Sequence, residues 1–325
     1  MNENVTKHVA VAPMMDWTDR HCRYFMRLLS PSVHLYTEMV TAAAIVHGDR
    51  DSLLRFHDNE HPVAVQLGGS NPDWMTAAAV AAATAGYDEI NINVGCPSDR
   101  VQSGQFGACL MATPQVVADC FKAMRAAVDV PVSIKTRIGI DDNDSYEFLR
   151  LFVDALVDAG CRKFVVHARL AILDGLSPKE NRSVPPLNYE RVFQLKRDYP
   201  ALEIILNGGI RDLEQIDAAL RHVDGVMIGR QAYQQPYFLV DIERHLDPAF
   251  VCPGRRAIVE KMIPYIEQEL AAGERLGHIT RHMLGLFAGQ PGARAWRRYL
   301  SEHAFRDTAG VDTVIAALET MPAAA

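Results

Sequence analysis

Short apolar runs and longer amphipathic stretches take turns along the chain from His8 to Arg230. Runs of aliphatic and β-branched residues bounded by glycine, proline or polar clusters mark strands. They fall at His8–Met14, Val33–Val40, Pro62–Gly69, Glu89–Val94, Val130–Gly139, Lys163–Arg169, Leu202–Gly209 and Asp224–Arg230. Helical periodicity fills the gaps over Pro114–Val128, Ser145–Ala159, Tyr189–Asp198 and Asp212–His222. A further helix starts at Asn71, a good N-cap, with Pro72 at its first position. Eight strands alternating with helices predict an α/β fold, a parallel (β/α)8 TIM barrel; a doubly wound sheet is the competing architecture. After Pro248 no strand-like run remains, and Arg255–Glu319 reads as short helices parted by Gly273, Gly277 and a Gly289-Gln290-Pro291-Gly292 turn. The expected division is therefore a barrel over residues 1–248 and a small all-helical C-terminal domain over 249–325.

Within this pattern the fourth strand stands apart. Ile90, Ile92 and Val94 alternate with Asn91 and Asn93, and the strand runs straight into Gly95-Cys96-Pro97. Buried polar side chains need partners, so two asparagines leading to a thiol predict a ligand-lined site. Catalytic groups of such barrels gather at the C-terminal ends of the strands. Those ends carry Pro13-Met14-Met15, Gln66, Asn91, Asn93 and Cys96, Lys135 and Arg137, His167 and Arg169, Asn207-Gly208-Gly209, and Gly229-Arg230.

Composition sets the outer bounds. The chain has 325 residues, 49% hydrophobic, with a formal net charge of −7. That balance argues against a general nucleic-acid binder. Its distribution changes the picture, because Arg275, Arg281, Arg294, Arg297, Arg298 and Arg306 crowd one segment that holds a single acid, Glu302. Arg294, Arg297 and Arg298 share a helical face, an anion-binding surface suited to phosphate. The six cysteines show no zinc spacing and read as reduced thiols, so no metal and a cytoplasmic location are expected. No membrane segment and no leader are expected either, since the start is polar and no apolar run is long enough to span a bilayer. A monomer is the expected state.

Several side chains offer chemistry. Glycines after strands seven and eight occupy the usual phosphate position of these barrels, where Arg230 adds charge; a cofactor and a substrate phosphate fit equally well. Lys135 in the barrel mouth suits a Schiff base, a substrate anion or a reduced flavin, unless a carboxylate such as Glu38 pairs with it. Cys96 reads as a general acid or, with a lowered pKa, a nucleophile. The loop Ser98–Leu110, with Gly104 and Gly107, reads either as a closing segment or as a plain glycine-rich connection, and the long loop Ile172–Leu187 brings Lys179 and Arg182 toward phosphates. Trp296 and Tyr299 serve either packing or base stacking.

The set Ala12-Pro13-Met14, Gln66-Leu67-Gly68-Gly69, Asn91-Ile92-Asn93-Val94-Gly95-Cys96-Pro97-Ser98, Lys135-Thr136-Arg137-Ile138-Gly139, His167-Ala168-Arg169 and Asn207-Gly208-Gly209 resembles the tRNA-dihydrouridine synthases. The stretches Gly175–Arg182 and Arg294–Leu300 look like the A subfamily, and the likeness runs from residue 8 to about 305. The resemblance implies FMN held by Pro13, Met14, Met15, Gln66, Lys135, His167, Asn207, Gly208, Gly209, Gly229 and Arg230, with NADPH as reductant. It implies reduction of a D-loop uridine of tRNA, at positions 20 and 20a by subfamily, with Cys96 as proton donor to C5. It further implies tRNA contacts at Asn93, Lys179, Arg182, Arg294 and Arg297. Two other functions remain open on the residues: a flavin enzyme acting on a free pyrimidine, as dihydroorotate-type dehydrogenases do, and a tRNA-binding folding helper with a vestigial flavin. The arginine-rich segment and long loop weigh against the first, the intact Lys135 and Cys96 against the second.

Overall fold

The computed structural model describes residues 8–98, 101 and 104–322. Every predicted strand forms: β1 (His8–Val11), β2 (Leu35–Thr41), β3 (Val63–Gly68), β4 (Glu89–Val94), β5 (Val132–Arg137), β6 (Lys163–His167), β7 (Glu203–Asn207) and β8 (Gly225–Ile228). All neighbours pair parallel in the order β1-β8-β7-β6-β5-β4-β3-β2. The ring closes between β1 and the start of β2: Val11 donates to His34 O (2.9 Å) and His34 to Val9 O (2.9 Å). The TIM barrel is thus the architecture, and the doubly wound alternative falls because an open sheet would leave β1 and β2 unpaired.

The strands stop sooner than the apolar runs do. β1 ends at Val11, and residues 12–15 continue as a strap in which Pro13 and Met14 are half-buried and Met15 is exposed. The helices follow their caps: Asn71 accepts from Trp74 N ahead of Pro72–Ala85, and Ser145 from Phe148 N ahead of Tyr146–Asp158. The Pro72–Ala85 helix buries Met75 and four small residues, Ala78, Ala79, Ala81 and Ala82, which let it lie close to its neighbours.

The barrel interior is split by polarity. Ala10, Ala12, Tyr36, Ala64, Val165, Ile205 and Met227 form one buried apolar cluster, with Met14 packed against it. On β3, β4 and β5 the interior carries amides and hydroxyls instead, described below.

Contacts divide the chain into two compact units, one of residues 1–15, 34–56 and 61–229, the other of 16–33, 57–60 and 230–325. The second unit therefore begins before residue 249 and takes in the early helix Arg20–Leu29. Its own polar core explains the grouping. Arg20 pairs with Glu269 and with Glu274 (3.0 Å), Asp19 takes His282 (2.9 Å) and Arg281 (2.6 Å), and Arg23 meets Glu60 (2.6 Å). Trp296, fully buried, donates to Met283 O (3.2 Å) and meets Phe287 edge-on, so of its two readings packing is the one seen. No helix among the described residues is long and apolar enough to cross a membrane.

Candidate active site

The rim of the first unit is built from β4 outward. Asn93, at the end of β4, turns its side chain back on the chain that follows: its Oδ1 accepts from Gly95 N (3.1 Å) and Cys96 N (3.0 Å). This Asx-type turn stops the strand and sets the Cys96 backbone. Cys96 O then accepts from Ala108 N (2.9 Å), while the half-buried thiol reaches toward Ser98 Oγ (3.6 Å). Gly107 stands where that approach is tightest. At φ +78°, a Cβ there would lie 2.6 Å from Cys96 O, so only glycine lets the two segments meet. The closing loop expected over Ser98–Leu110 includes residues 99, 100, 102 and 103, which lie outside the described residues.

Lys135 pairs in register with Asn93 on the neighbouring strand. No carboxylate pairs with it among the described residues, Glu38 included. Desolvation and the Arg137 guanidinium pull its pKa down to about 7, and the Cys96 sulfur is near enough to act on it in the other sense. An unpaired ammonium held at the mouth of a barrel awaits an anion.

Arg137, two residues on, is spent on structure. It is 3% exposed, and its guanidinium donates to Gly95 O (2.9 Å), Leu170 O (2.7 Å) and Asn181 O (3.0 Å). One side chain thereby ties the Cys96 turn to the exit of β6 and to the long loop after it. Burial and nearby charges lower its pKa to about 10, still charged at neutral pH. Asn181 pegs that loop from within, accepting from Ile172 N (2.8 Å) and donating to Ile172 O (2.8 Å) and Leu176 O (3.2 Å). Ser177 and Glu180 brace each other through a 2.6 Å hydrogen bond, leaving Lys179 and Arg182 exposed on the loop surface.

Across the mouth, His167 and Asn207 pair in register at the ends of β6 and β7. Asn207 donates to Met227 O (2.8 Å) and is 6% exposed. Gly208 (φ +119°) and Gly209 (φ +75°) follow in the left-handed region; a Cβ would strike His167 Cδ2 at 2.8 Å or the Tyr189 hydroxyl at 2.8 Å. Neither amide donates to a backbone carbonyl among the described residues. Two bare N–H groups on a glycine turn make a nest for an anion. Gly229 lies beside this strap of residues 12–15, the position of its missing Cβ being 3.9 Å from Ala12 Cβ and 4.0 Å from Met14 Sδ.

A family model described as dihydrouridine synthase (Dus) matches residues 10–322. The chain is 57% identical over 321 residues to the tRNA-dihydrouridine(20/20a) synthase of Shewanella oneidensis, covering 98% of this chain and 96% of that protein. It is 59% identical over 308 residues to the like-named protein of Salmonella typhimurium, covering 94% and 92%. The match with that of Escherichia coli K12 is 58% over 319 residues, covering 95% and 90%. The chain belongs to the dihydrouridine synthase family.

As a dihydrouridine synthase it is an enzyme of a flavin-dependent oxidoreductase family. The structure brings most of the expected residues to one barrel mouth: Pro13, Met14, Lys135, Cys96, His167, Asn207, Gly208, Gly209 and Gly229. Gln66 lies deeper. Gln66 is 1% exposed, with its Nε2 donating to Asn91 Oδ1 (2.8 Å) and its Oε1 accepting from Asn93 Nδ2 (2.7 Å). Asn91, expected to line a ligand site, is instead fully buried core, donating to Ser133 Oγ (2.7 Å). Arg230 opens the helix Arg230–Gln234 and belongs to the second unit. There too, the helix Ala293–His303 buries Trp296 and Leu300 and exposes Arg294, Arg297 and Arg298, none of which meets a carboxylate among the described residues.

Residue type at single positions hid Asn181, Ser133 and Glu89, and the structural use of Arg137. The one available signal was spacing: Ser133, Lys135 and Arg137 share the inward face of one strand.

Proposed function

We propose that this dihydrouridine synthase reduces uridine to 5,6-dihydrouridine in the D-loop of tRNA, at positions 20 and 20a, using FMN and NADPH. The observation that carries the reading is the Lys135 ammonium, without a carboxylate partner among the described residues, set beside a backbone-clamped cysteine at one rim. When bound, FMN would supply the hydride for C6 of the uracil, with NADPH as its reductant. The chain's own part is to hold, orient and protonate. The Gly208-Gly209 turn, with Gly229 and Arg230, is suited to the flavin phosphate. Lys135 offers a positive charge for a ring that turns anionic on reduction. The strap at Pro13, Met14 and Met15, with Gln66, His167 and Asn207, completes the FMN set.

Addition of hydride at C6 leaves electron density on C5 and O4 of the substrate, and that enolate needs a proton at C5. Cys96 is the acid: its thiol gives the proton while Asn93 holds its backbone in place. The target uridine must leave its stack, which costs a few kcal/mol and less in a loop than in a duplex. Lys179 and Arg182 on the exposed loop, Asn93 at the rim, and Arg294 and Arg297 on the helical segment are the proposed tRNA contacts. The helical segment from residue 249 onward is assigned to tRNA, the barrel to chemistry. We assign the enzyme to the cytoplasm as a monomer without metal.

Unpaired arginines on one helix face are the footprint of phosphate binding. Replacing Arg294 and Arg297 together by alanine is expected to weaken tRNA binding at least tenfold and to reduce the slope of log K against log salt by about 1–2. A filter-binding titration at several salt concentrations checks this, and an unaltered slope removes the helix from the interface. The reading as a whole is tested by nucleoside mass spectrometry of D-loop fragments from tRNA incubated with the purified protein and NADPH. Appearance of dihydrouridine in those fragments is expected; its absence, with flavin bound, overturns the assignment.

A further inference from the structure

Glu89, Ser133 and Asn91 lie inside the barrel below the rim, and the reaction makes no direct demand on them. Their hydrogen bonds nevertheless run in one direction. An ionised carboxylate can only accept, so at Glu89 Oε1 the Ser133 hydroxyl is the donor (2.5 Å). With its proton committed there, Ser133 Oγ offers lone pairs alone and takes the side-chain N–H of Asn91 (2.7 Å). That turns Asn91 Oδ1 toward Gln66 Nε2 (2.8 Å), which in turn presents Gln66 Oε1 to Asn93 Nδ2 (2.7 Å). Asn93 is left with Oδ1 facing the amides of Gly95 (3.1 Å) and Cys96 (3.0 Å).

Both ends of this chain are fixed in polarity. At the far end, backbone N–H groups can only donate. At the near end, Glu89 is held by Tyr36 OH (2.9 Å) and Lys163 Nζ (2.9 Å), with His34 Nε2 at 3.6 Å. Burial opposes its charge, yet Lys163 and His34 outweigh burial and keep its pKa below the ordinary carboxylate value. All five side chains are less than a tenth exposed, so water has little room to mend a reversed bond.

We propose that Glu89 is a positioning residue for Cys96: acting through Ser133, Asn91 and Gln66, it holds Asn93 in the one amide orientation that caps the Gly95–Cys96 turn. A flipped Asn93 would point its N–H₂ group at two backbone donors and release the turn. The geometry concerns the placement of the cysteine, and only its effect on turnover rests on the proton-donor reading given above.

The test compares three variants of the FMN-loaded full chain. Ser133→Ala cuts the chain. Tyr36→Phe removes another hydrogen bond from the same Glu89 oxygen but leaves the chain whole. Ser133→Thr keeps the hydroxyl. Alkylation of Cys96 by iodoacetamide is followed by peptide mass spectrometry, alongside thermal midpoints and tRNA reduction. Ser133→Ala is expected to change the Cys96 alkylation rate at least threefold and to lower kcat at least tenfold with KM nearly constant. Tyr36→Phe is expected to lower the thermal midpoint with the Cys96 rate unchanged, and Ser133→Thr to restore that rate. A wild-type Cys96 rate in Ser133→Ala, or an equal change in Tyr36→Phe, overturns the proposal. Altered alkylation with full turnover upholds the positioning and refutes the proton-donor role. Should the alanine variant not fold, Ser133→Val against Ser133→Thr makes the same comparison at nearly constant shape, the two differing by a methyl in place of the hydroxyl.

Discussion

Cys96→Ala is expected to lose 100-fold or more in dihydrouridine formation while keeping its flavin and its affinity for tRNA. A positioned general acid contributes roughly 10²–10⁴ in rate, and Cys96 is the thiol at the rim whose backbone is clamped from both sides, by Asn93 Oδ1 at its N–H and by Ala108 N at its carbonyl. Removing the sulfur leaves both backbone hydrogen bonds in place, so the turn and the barrel remain. Single-turnover reduction of tRNA by pre-reduced enzyme, read from the flavin absorbance, isolates the step concerned. Wild-type rates in that experiment would remove Cys96 from the chemistry. Cys120 and Cys161 make natural controls: both are buried, and burial pushes their thiols up, to about 11 and about 12. Conversion of either to serine or alanine is an ordinary core change that touches stability before activity.

Lys135→Met is expected to abolish stable flavin reduction while making the flavin-free protein more stable. The sign follows from the shift. In the folded protein Lys135 titrates at about 7, whereas an unfolded lysine holds its proton to 10.5. Between those values the unfolded chain binds more protons, so this residue makes the flavin-free fold more stable as pH rises from 7 toward 10.5. Methionine removes that dependence and, near pH 7, a desolvated charge, a gain on the order of 1–2 kcal/mol. An anion at the mouth reverses the balance by favouring the ammonium. Flavin binding above pH 7 is therefore expected to take up a proton, and calorimetry in buffers of different ionisation enthalpy measures it. Tighter flavin binding at pH 9 than at pH 7, or no proton uptake, would contradict the role given to Lys135.

Much of this was legible along the chain. All eight strands stand where the apolar runs predict them, because each run had to be long enough to cross the barrel wall and apolar enough to bury against helices. The rim residues followed from the rule that polar groups past a strand's end face the mouth. Asn91 shows where that reasoning stops. It looks like Asn93 in the alternation, yet it lies one step deeper and is bonded to Gln66 and Ser133 within the core. Alternation reports which face a residue takes and carries no information on depth along the barrel axis. Arg137 shows the same limit from the other side, since its two-residue spacing from Lys135 put it at the mouth but its guanidinium points into three backbone carbonyls.

The amino-acid sequence by itself determined the barrel, the thiol at its rim, the glycine turn after β7 and the arginine face of the last helices. These rest on local propensity, period and residue type, which neighbours along the chain suffice to reveal. Only the tertiary structure decided that Lys135 has no carboxylate partner among the described residues, that Arg137 and Asn181 are spent on holding loops, and that Glu89 stands at the head of a directed line of hydrogen bonds ending at Cys96. Charge compensation and hydrogen-bond direction depend on which side chains meet across strands tens of residues apart, and that is settled by register and closure of the sheet.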